Sequence, residues 1–136
     1  MPTHHVTRTS YEVGMIDVDL VQIHFASYYR WMDLAYGRLL VDLGHPLASI
    51  LRAGHGTPIV NSACNYRTPV GLGDVVDVAT WIENVGRTSF AVHHEFSREG
   101  QPVAVGETKH VWLSMLDGQT SAVPVPAWLA DAAAAR

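Results

Sequence analysis

Apolar residues in the first third of the chain repeat with the period of a helix. From Phe25 onward they fall at positions 25, 28, 29, 32, 36, 39, 40 and 43. This three-and-four spacing gives a helix one apolar face, and it predicts a helix over residues 25–43. Gly44 and Pro46 follow as a stop signal. At about 1.5 Å per residue the helix is roughly 28 Å long, enough to cross a small domain.

Downstream of Gly56 the apolar period changes to two, the alternation typical of strands. Val, Ile, Thr, Phe and Trp dominate these segments, and short glycine-containing turns separate them. The predicted strands are residues 57–68, 74–85, 88–98 and 102–115, after a first strand at 7–14. Connections this short join antiparallel neighbours. The pattern therefore predicts an α+β fold, in which one long helix lies on a curved antiparallel sheet of five to six strands.

The composition indicates one globular domain over residues 1–136. The chain is 48% apolar and 16% charged, with a formal net charge of −4. We expect residues 1–5 and 130–136 to be flexible and the tail 123–128 to be extended. No apolar run reaches the roughly 20 residues that span a bilayer, and no basic cluster is present. Neither a membrane nor a nucleic acid is therefore expected as a partner.

Cys64 is the single cysteine, so the chain cannot form an internal disulfide. The absence of disulfides is typical of cytoplasmic proteins. We accordingly expect a cytoplasmic location. Cys64 lies in a predicted strand with no adjacent histidine, so we interpret it as a small core residue and not as a nucleophile.

Two carboxylates, Asp17 and Asp19, precede the aromatic first turn of the predicted helix. A helix N-terminus offers unpaired N–H groups and a partial positive charge, which stabilise a carbonyl oxygen that becomes an anion. A carboxylate beside such an end suits the nucleophile or general base of acyl transfer. Asp at this place is also a frequent helix cap. The spacing leaves both interpretations open.

Five short sequence blocks, taken together, resemble the motifs of a known protein family. They are Asp17-Val-Asp19, His24-Phe25, Tyr28-Tyr-Arg-Trp31, Gly56-Thr-Pro-Ile-Val60 and Gly86-Arg87-Thr-Ser-Phe90. In this order they resemble the 4-hydroxybenzoyl-CoA thioesterase family of hotdog-fold enzymes. The resemblance implies a hotdog fold, hydrolysis of an acyl-CoA thioester, and self-association to a dimer or homotetramer with the site at a subunit interface. An aromatic acyl group is one candidate.

Carried over by position, the resemblance assigns roles to five residues. It makes Asp19 the catalytic carboxylate, as nucleophile or general base, and the backbone N–H of Phe25 the oxyanion donor. Arg87 and Thr88 fall in the segment that binds the coenzyme A phosphates. His24 is either a substrate contact or an ordinary polar residue at the start of the helix. The resemblance implies no cofactor, since coenzyme A is part of the substrate.

The chain departs from the family pattern at two places. The basic segment is reduced to one arginine, Arg87. The loop between Asp19 and Tyr28 is one residue shorter, which leaves Asp17 as an alternative for the catalytic role.

Two other functions stay open. One is a hotdog-fold enoyl-CoA hydratase using Asp19 and His24, and the other is a non-catalytic acyl-CoA binding protein. A metal site is not expected, because the adjacent His93 and His94 point to opposite faces of a strand and cannot chelate one ion together.

Overall fold

The computed structural model describes residues 4–19 and 22–134. The strands, in chain order, are β1 (Thr7–Glu12), β2 (Val18–Asp19), β3 (Gln22–Ile23), β4 (His55–Gly56), β5 (Ile59–Tyr66), β6 (Val75–Glu83), β7 (Ser89–Arg98), β8 (Gln101–Val111), β9 (Leu113–Ser114) and β10 (Ser121–Ala122). The helices are α1 (Phe25–Asp42), α2 (Leu47–Arg52) and α3 (Ala127–Ala132). The predicted α+β fold, with one long helix on a curved antiparallel sheet, is confirmed.

The main sheet has the strand order β1-β6-β7-β8-β5, and all its neighbours are antiparallel. Strands β6, β7 and β8 follow one another through short turns, as the sequence predicts. The first strand of the chain closes one edge, and β5 forms the other, with a register shift between Ile59 and Asn61. Two small sheets, β10-β9-β4 and β2-β3, lie outside this main sheet.

Helix α1 lies close to the sheet because its apolar face is buried and because one strand position carries no side chain. Trp31, Ala35 and Leu39 are at most 1% exposed. Opposite them, a Cβ on Gly106 of β8 would lie 2.4 Å from the Met32 sulfur, a distance at which Met32 would have to move. Glycine at this point therefore lets the helix approach the middle of the sheet.

Two apolar clusters divide the core along α1. The first lies under the start of the helix and includes Tyr28, Trp31 and Phe96. The second lies under its end and includes Leu40 and Ile82. Each cluster buries large side chains completely, and burying one such side chain is worth about 1.5–3 kcal/mol. The start of α1 is thus anchored on the first apolar cluster.

The C-terminal segment differs in part from the prediction of an extended tail. Residues 123–126 lie outside any helix, but α3 begins at Ala127 after Pro126, which stands at the N-cap. Leu129 is fully buried in the second apolar cluster, and this contact stabilises a helix too short for its periodicity to be read from sequence. Of the ends expected to be flexible, residues 1–3 and 135–136 lie outside the described residues.

Within the described residues, no helix is both long and apolar enough to cross a membrane.

Candidate active site

The segment before α1 is folded around the Asp17 carboxylate. A 3-10 turn, Met15–Asp17, brings Asp17 under the first turn of the helix, where its side chain is 2% exposed. Its carboxylate accepts hydrogen bonds from the Gly14 N–H (2.8 Å), the Ser27 hydroxyl (2.8 Å) and the Arg30 guanidinium (2.5 Å). The His24 N–H donates to the Asp17 carbonyl oxygen at 2.6 Å. Asp17 therefore ties the incoming chain to α1.

These contacts keep the Asp17 carboxyl ionised. Burial by itself would raise its pKa, but the hydrogen bonds from Gly14, Ser27 and Arg30, together with the positive charge of Arg30, hold the pKa below its ordinary value. A carboxylate so fully occupied by donors is a weak base, and its burial keeps it away from any substrate outside.

Asp19 lies two residues further, in the small hairpin of β2 and β3, and is exposed. Its backbone pairs with Gln22, and Val18 pairs with Ile23 immediately before the start of α1. The loop that the sequence marks as shortened contains residues 20 and 21, which lie outside the described residues. The structure thus gives the two carboxylates different surroundings, one enclosed and one open.

His24 caps α1, a role that neither aspartate side chain takes. Its Nδ1 accepts a hydrogen bond from the Ala26 N–H at 3.1 Å, so this nitrogen carries no proton in the capped state. Its ring stacks on Phe25 with centroids 4.8 Å apart. The sequence offered a polar residue at the helix start as one interpretation of His24, and this is where the structure places it.

Phe25 is the first residue of α1, and its side chain is 60% exposed. Its N–H makes no hydrogen bond to any of residues 4–19 or 22–134. The same residue borders a cavity of about 280 Å³, which has a predominantly apolar and aromatic wall. The lining residues are Ile23, Phe25, Tyr28, Tyr66, Arg67, Thr68, Pro69 and Val70. The start of the helix therefore faces an apolar cavity large enough for a small acyl group.

Sequence reasoning missed the wall opposite the helix, which consists of Tyr66 at the end of β5 and residues 67–70 that follow it. The ring of Tyr66 contacts the ring of Tyr28 on α1, with centroids 5.0 Å apart. A smaller cavity of about 70 Å³ lies further along α1, bordered by Asp33, Ser62 and His110 among others. Asp33 lies on α1, whereas Ser62 and His110 come from β5 and β8, so no local sequence pattern brings the three together.

The segment predicted to bind phosphates lies in the turn between β6 and β7. The Arg87 carbonyl oxygen accepts from the Val125 N–H (2.9 Å), and the Thr88 carbonyl oxygen accepts from the Trp112 N–H (2.8 Å). Next to this turn is a cavity of about 420 Å³, bordered by Asn84, Ser89 and Lys109 among others. Arg87 is exposed. Lys109 is a second cation in this region that spacing alone did not indicate.

Cys64 is half-buried on β5 and contacts the first apolar cluster. Burial raises the pKa of its thiol to about 11, so the reactive thiolate is scarce at neutral pH. Both observations agree with the interpretation of Cys64 as a core residue.

Comparison with known proteins identifies the family. The family model described as "Thioesterase-like superfamily" matches residues 13–133. A 1,4-dihydroxy-2-naphthoyl-CoA hydrolase of Synechococcus elongatus is 30% identical over 104 residues, covering 75% of this chain and 76% of that protein. The structure of gentisyl-coenzyme A thioesterase is similar with a TM-score of 0.82 and 28% identity, covering 93% of this chain and 98% of the other.

The 4-hydroxybenzoyl-CoA thioesterase from Pseudomonas sp. strain CBS-3 has the same fold, with a TM-score of 0.82 at 24% identity over 93% of this chain and 98% of the other. The predicted resemblance to hotdog-fold acyl-CoA thioesterases is confirmed, and with it the predicted class, a thioester hydrolase. With the family model covering residues 13–133, this chain belongs to the thioesterase-like superfamily.

Proposed function

We propose that this protein hydrolyses an acyl-CoA thioester to the free acid and coenzyme A, in the cytoplasm and without a cofactor. The observation that carries the proposal is the start of helix α1, where Phe25 and Ile23 of the β2–β3 hairpin line an apolar cavity. Asp19 is exposed on the same hairpin and is not one of the residues that line the cavity. Membership of the thioesterase-like superfamily supports the same chemistry.

The Phe25 N–H is the proposed oxyanion donor. As the thioester carbonyl carbon becomes tetrahedral, its oxygen gains negative charge, and the N–H and the positive end of α1 stabilise that charge. Losing one such donor typically lowers turnover by about 10²–10³. An acyl group bound against the apolar walls would displace water and so strengthen this interaction.

Asp19 is the proposed catalytic carboxylate. It either attacks the carbonyl carbon, which expels the coenzyme A thiolate and leaves a mixed anhydride for water to hydrolyse, or it removes a proton from the attacking water. Asp19 suits both routes because it is exposed, whereas Asp17 is enclosed by three donors. The thiolate leaves without a strong general acid, so no metal is needed at this site.

An aromatic acyl group is the proposed substrate class. Phe25, Tyr28 and Tyr66 give the 280 Å³ cavity flat, apolar surfaces on which an aryl ring can stack. The names of two similar proteins, gentisyl-coenzyme A thioesterase and 1,4-dihydroxy-2-naphthoyl-CoA hydrolase, specify hydroxylated aromatic acyl groups.

The coenzyme A phosphates are proposed to bind near the β6–β7 turn. Arg87 can pair with a phosphate through two parallel hydrogen bonds, and Lys109 adds a second positive charge beside the adjoining cavity. Thr88 offers a hydroxyl in the same turn. Arg87→Ala and Lys109→Ala should each raise KM for a coenzyme A ester in a salt-sensitive way, with little change in kcat. An unchanged KM in both variants would contradict this placement.

Self-association through the β5 edge is proposed to complete the site. Strand β5 is eight residues long, and no strand among the described residues pairs with its outer edge. Ile59, Val60 and Tyr66 expose 48%, 62% and 50% of their surface. A long edge strand with exposed apolar side chains is a template for pairing with another strand. A dimer formed there would bring a second copy against the Tyr66 side of the 280 Å³ cavity, and two dimers could form the tetramer.

The experiment that tests the function is a thiol-release screen with benzoyl-, hydroxybenzoyl-, phenylacetyl- and straight-chain-CoA esters. The wild type should release thiol fastest from an aromatic ester. Asp19→Asn should cut turnover at least a hundredfold while substrate binding is largely kept, and near-normal turnover in that variant would refute the assignment. Loss of a 2-enoyl-CoA chromophore without thiol would instead indicate the hydratase. Saturable binding with no thiol over hours would indicate an acyl-CoA binding protein.

A further inference from the structure

We propose that the outer face of the main sheet binds one divalent transition-metal ion, of the Zn²⁺ class, through Glu83, His93 and Glu107. Each of the three side chains offers one ligand atom, and these atoms all lie within 4.8 Å of one another. None of the three ligands lines the 280 Å³ acyl cavity, although Glu107 also borders the 420 Å³ cavity beside the β6–β7 turn. The metal site does not depend on the proposed function.

Strand register brings these side chains together. His93 of β7 lies directly opposite Glu107 of β8 and opposite Trp81 of β6. Glu83 follows Trp81 by two residues and so points to the same face. Their neighbours in sequence, such as Ile82 and Val92, point the other way into the core under α1. The three ligands therefore belong to three adjacent strands, and no sequence spacing reveals them.

The two nitrogens of the His93 ring have different partners. Nδ1 lies 3.8 Å from Glu83 Oε2, which is too long for a direct hydrogen bond but is a separation that one ion can bridge with bonds of about 2.0–2.2 Å. Nε2 lies 3.3 Å from Glu95 Oε1. A carboxylate on the second nitrogen is the arrangement that fixes the ring and its tautomer in metal-binding histidines.

Glu83 is held in place as well. Its Oε1 accepts a hydrogen bond from the Trp81 indole N–H at 2.7 Å, which leaves Oε2 directed toward His93. The Trp81 ring also lies against the His93 ring, with centroids 4.6 Å apart. One indole thus restrains both ligands, so little conformational freedom is lost when an ion binds.

Charge and donor type favour a transition metal. Glu83, Glu95 and Glu107 place three carboxylates around one imidazole, and Lys109, two residues from Glu107 on the same strand, is the nearest cation along β8. A cation bound among these carboxylates would offset their mutual repulsion. An imidazole nitrogen with two carboxylate oxygens suits Zn²⁺ and its neighbours, whereas Mg²⁺ and Ca²⁺ prefer oxygen alone. Water would fill the remaining positions.

The test is isothermal titration of chelator-treated full-length protein with ZnCl₂, followed by Co²⁺ absorption to report the ligand geometry. The wild type should bind one equivalent, and its thermal midpoint should rise with ion concentration. His93→Gln and Glu107→Gln should lose this binding. Glu95→Gln should weaken it about 10–100-fold, because it removes only the group that orients His93.

The matched control is His45→Gln. His45 also stacks on a tryptophan, Trp128 (centroids 4.0 Å apart), but within residues 4–19 and 22–134 no carboxylate lies within 4.0 Å of its ring nitrogens. Binding should persist in this variant. No wild-type binding at millimolar Zn²⁺, or equal binding by His93→Gln, would overturn the proposal. If His93→Gln does not fold, loss of one equivalent in folded Glu107→Gln decides the question.

Discussion

Replacing Asp17 with asparagine removes the negative charge around which the start of α1 is built. The Asp17 carboxylate is 2% exposed and accepts from Gly14, Ser27 and Arg30, so the variant loses the charge in three hydrogen bonds at once. Hydrogen bonds to a charged group contribute about 1.5–3 kcal/mol, and removing one partner of a buried ion pair costs about 3–5 kcal/mol.

The effect should be smaller than the sum of these figures. The Arg30 side chain is 47% exposed and can return to water, and asparagine keeps one acceptor oxygen. We expect Asp17→Asn to lower the free energy of unfolding by about 2–3 kcal/mol. Urea unfolding at pH 7 measures this change. The control is Asp77→Asn, which alters an exposed carboxylate bonded to Ser10 and should leave stability nearly unchanged.

The same pair of measurements distinguishes the two aspartates before α1. Asp17→Asn should lose stability and keep much of its turnover per folded molecule, whereas Asp19→Asn should keep stability and lose turnover. If Asp17→Asn is as stable as the wild type but turns over a hundredfold more slowly, then Asp17 is the catalytic carboxylate and our reasoning is wrong.

At acidic pH the wild type should lose its greater stability relative to Asp17→Asn. The pKa of Asp17 is lowered in the folded state, so the unfolded chain binds the proton more readily. The stabilisation is complete above the ordinary Asp pKa of 3.8 and disappears as the pH falls through the lowered value. The stability difference between the two proteins should therefore be constant above about pH 5 and shrink below about pH 4.

Three further changes test other parts of the molecule. Gly106→Ala places a Cβ 2.4 Å from the Met32 sulfur and should destabilise the protein by about 1–3 kcal/mol in thermal unfolding. The control, Gly37→Ala on α1, has open space around it and should stabilise the protein by up to about 1 kcal/mol. Equal effects of the two changes would contradict the close helix–sheet contact. Burial lowers the pKa of His94 to about 3, so below pH 6.5 the unfolded chain binds a proton that the folded chain does not, and the free energy of unfolding falls by about 1.4 kcal/mol per pH unit. In urea unfolding, the dependence of this free energy on pH should be shallower by one proton in His94→Leu. An unchanged dependence would argue against a neutral buried imidazole. Val60→Lys on the β5 edge should shift the protein toward monomer in sedimentation, and an unaltered mass would exclude this edge as the interface.

The long helix and the main strands were predictable from sequence because each repeats a local pattern of apolar residues over many positions. Helix α1 was predicted over residues 25–43 and is observed over Phe25–Asp42, and each main strand lies within two residues of its predicted start. Short elements were not predictable. Helix α3 depends on the burial of Leu129 and Ala132 against the second apolar cluster. The β4-β9-β10 sheet depends on pairings between distant segments.

The candidate site was predictable in its residue types but not in their contacts. The sequence placed two carboxylates before a helix and offered capping as one role, yet the cap is His24, because Asp17 is instead engaged by Ser27 and Arg30 from inside the helix. Such choices depend on side-chain directions in a folded loop. Likewise, the cluster around His93 depends on cross-strand register, which one strand's sequence does not contain.

The C-terminal segment, residues 123–134, joins the β6–β7 turn to the second apolar cluster. The Val125 N–H donates to the Arg87 carbonyl oxygen, the Ala134 N–H donates to the Ile82 carbonyl oxygen, and Leu129 lies buried between them. The proposed phosphate-binding turn is therefore held by a segment far from it in sequence. Trimming the chain before residue 123, or attaching a bulky fusion to its end, would loosen that turn and weaken nucleotide binding without touching the acyl cavity.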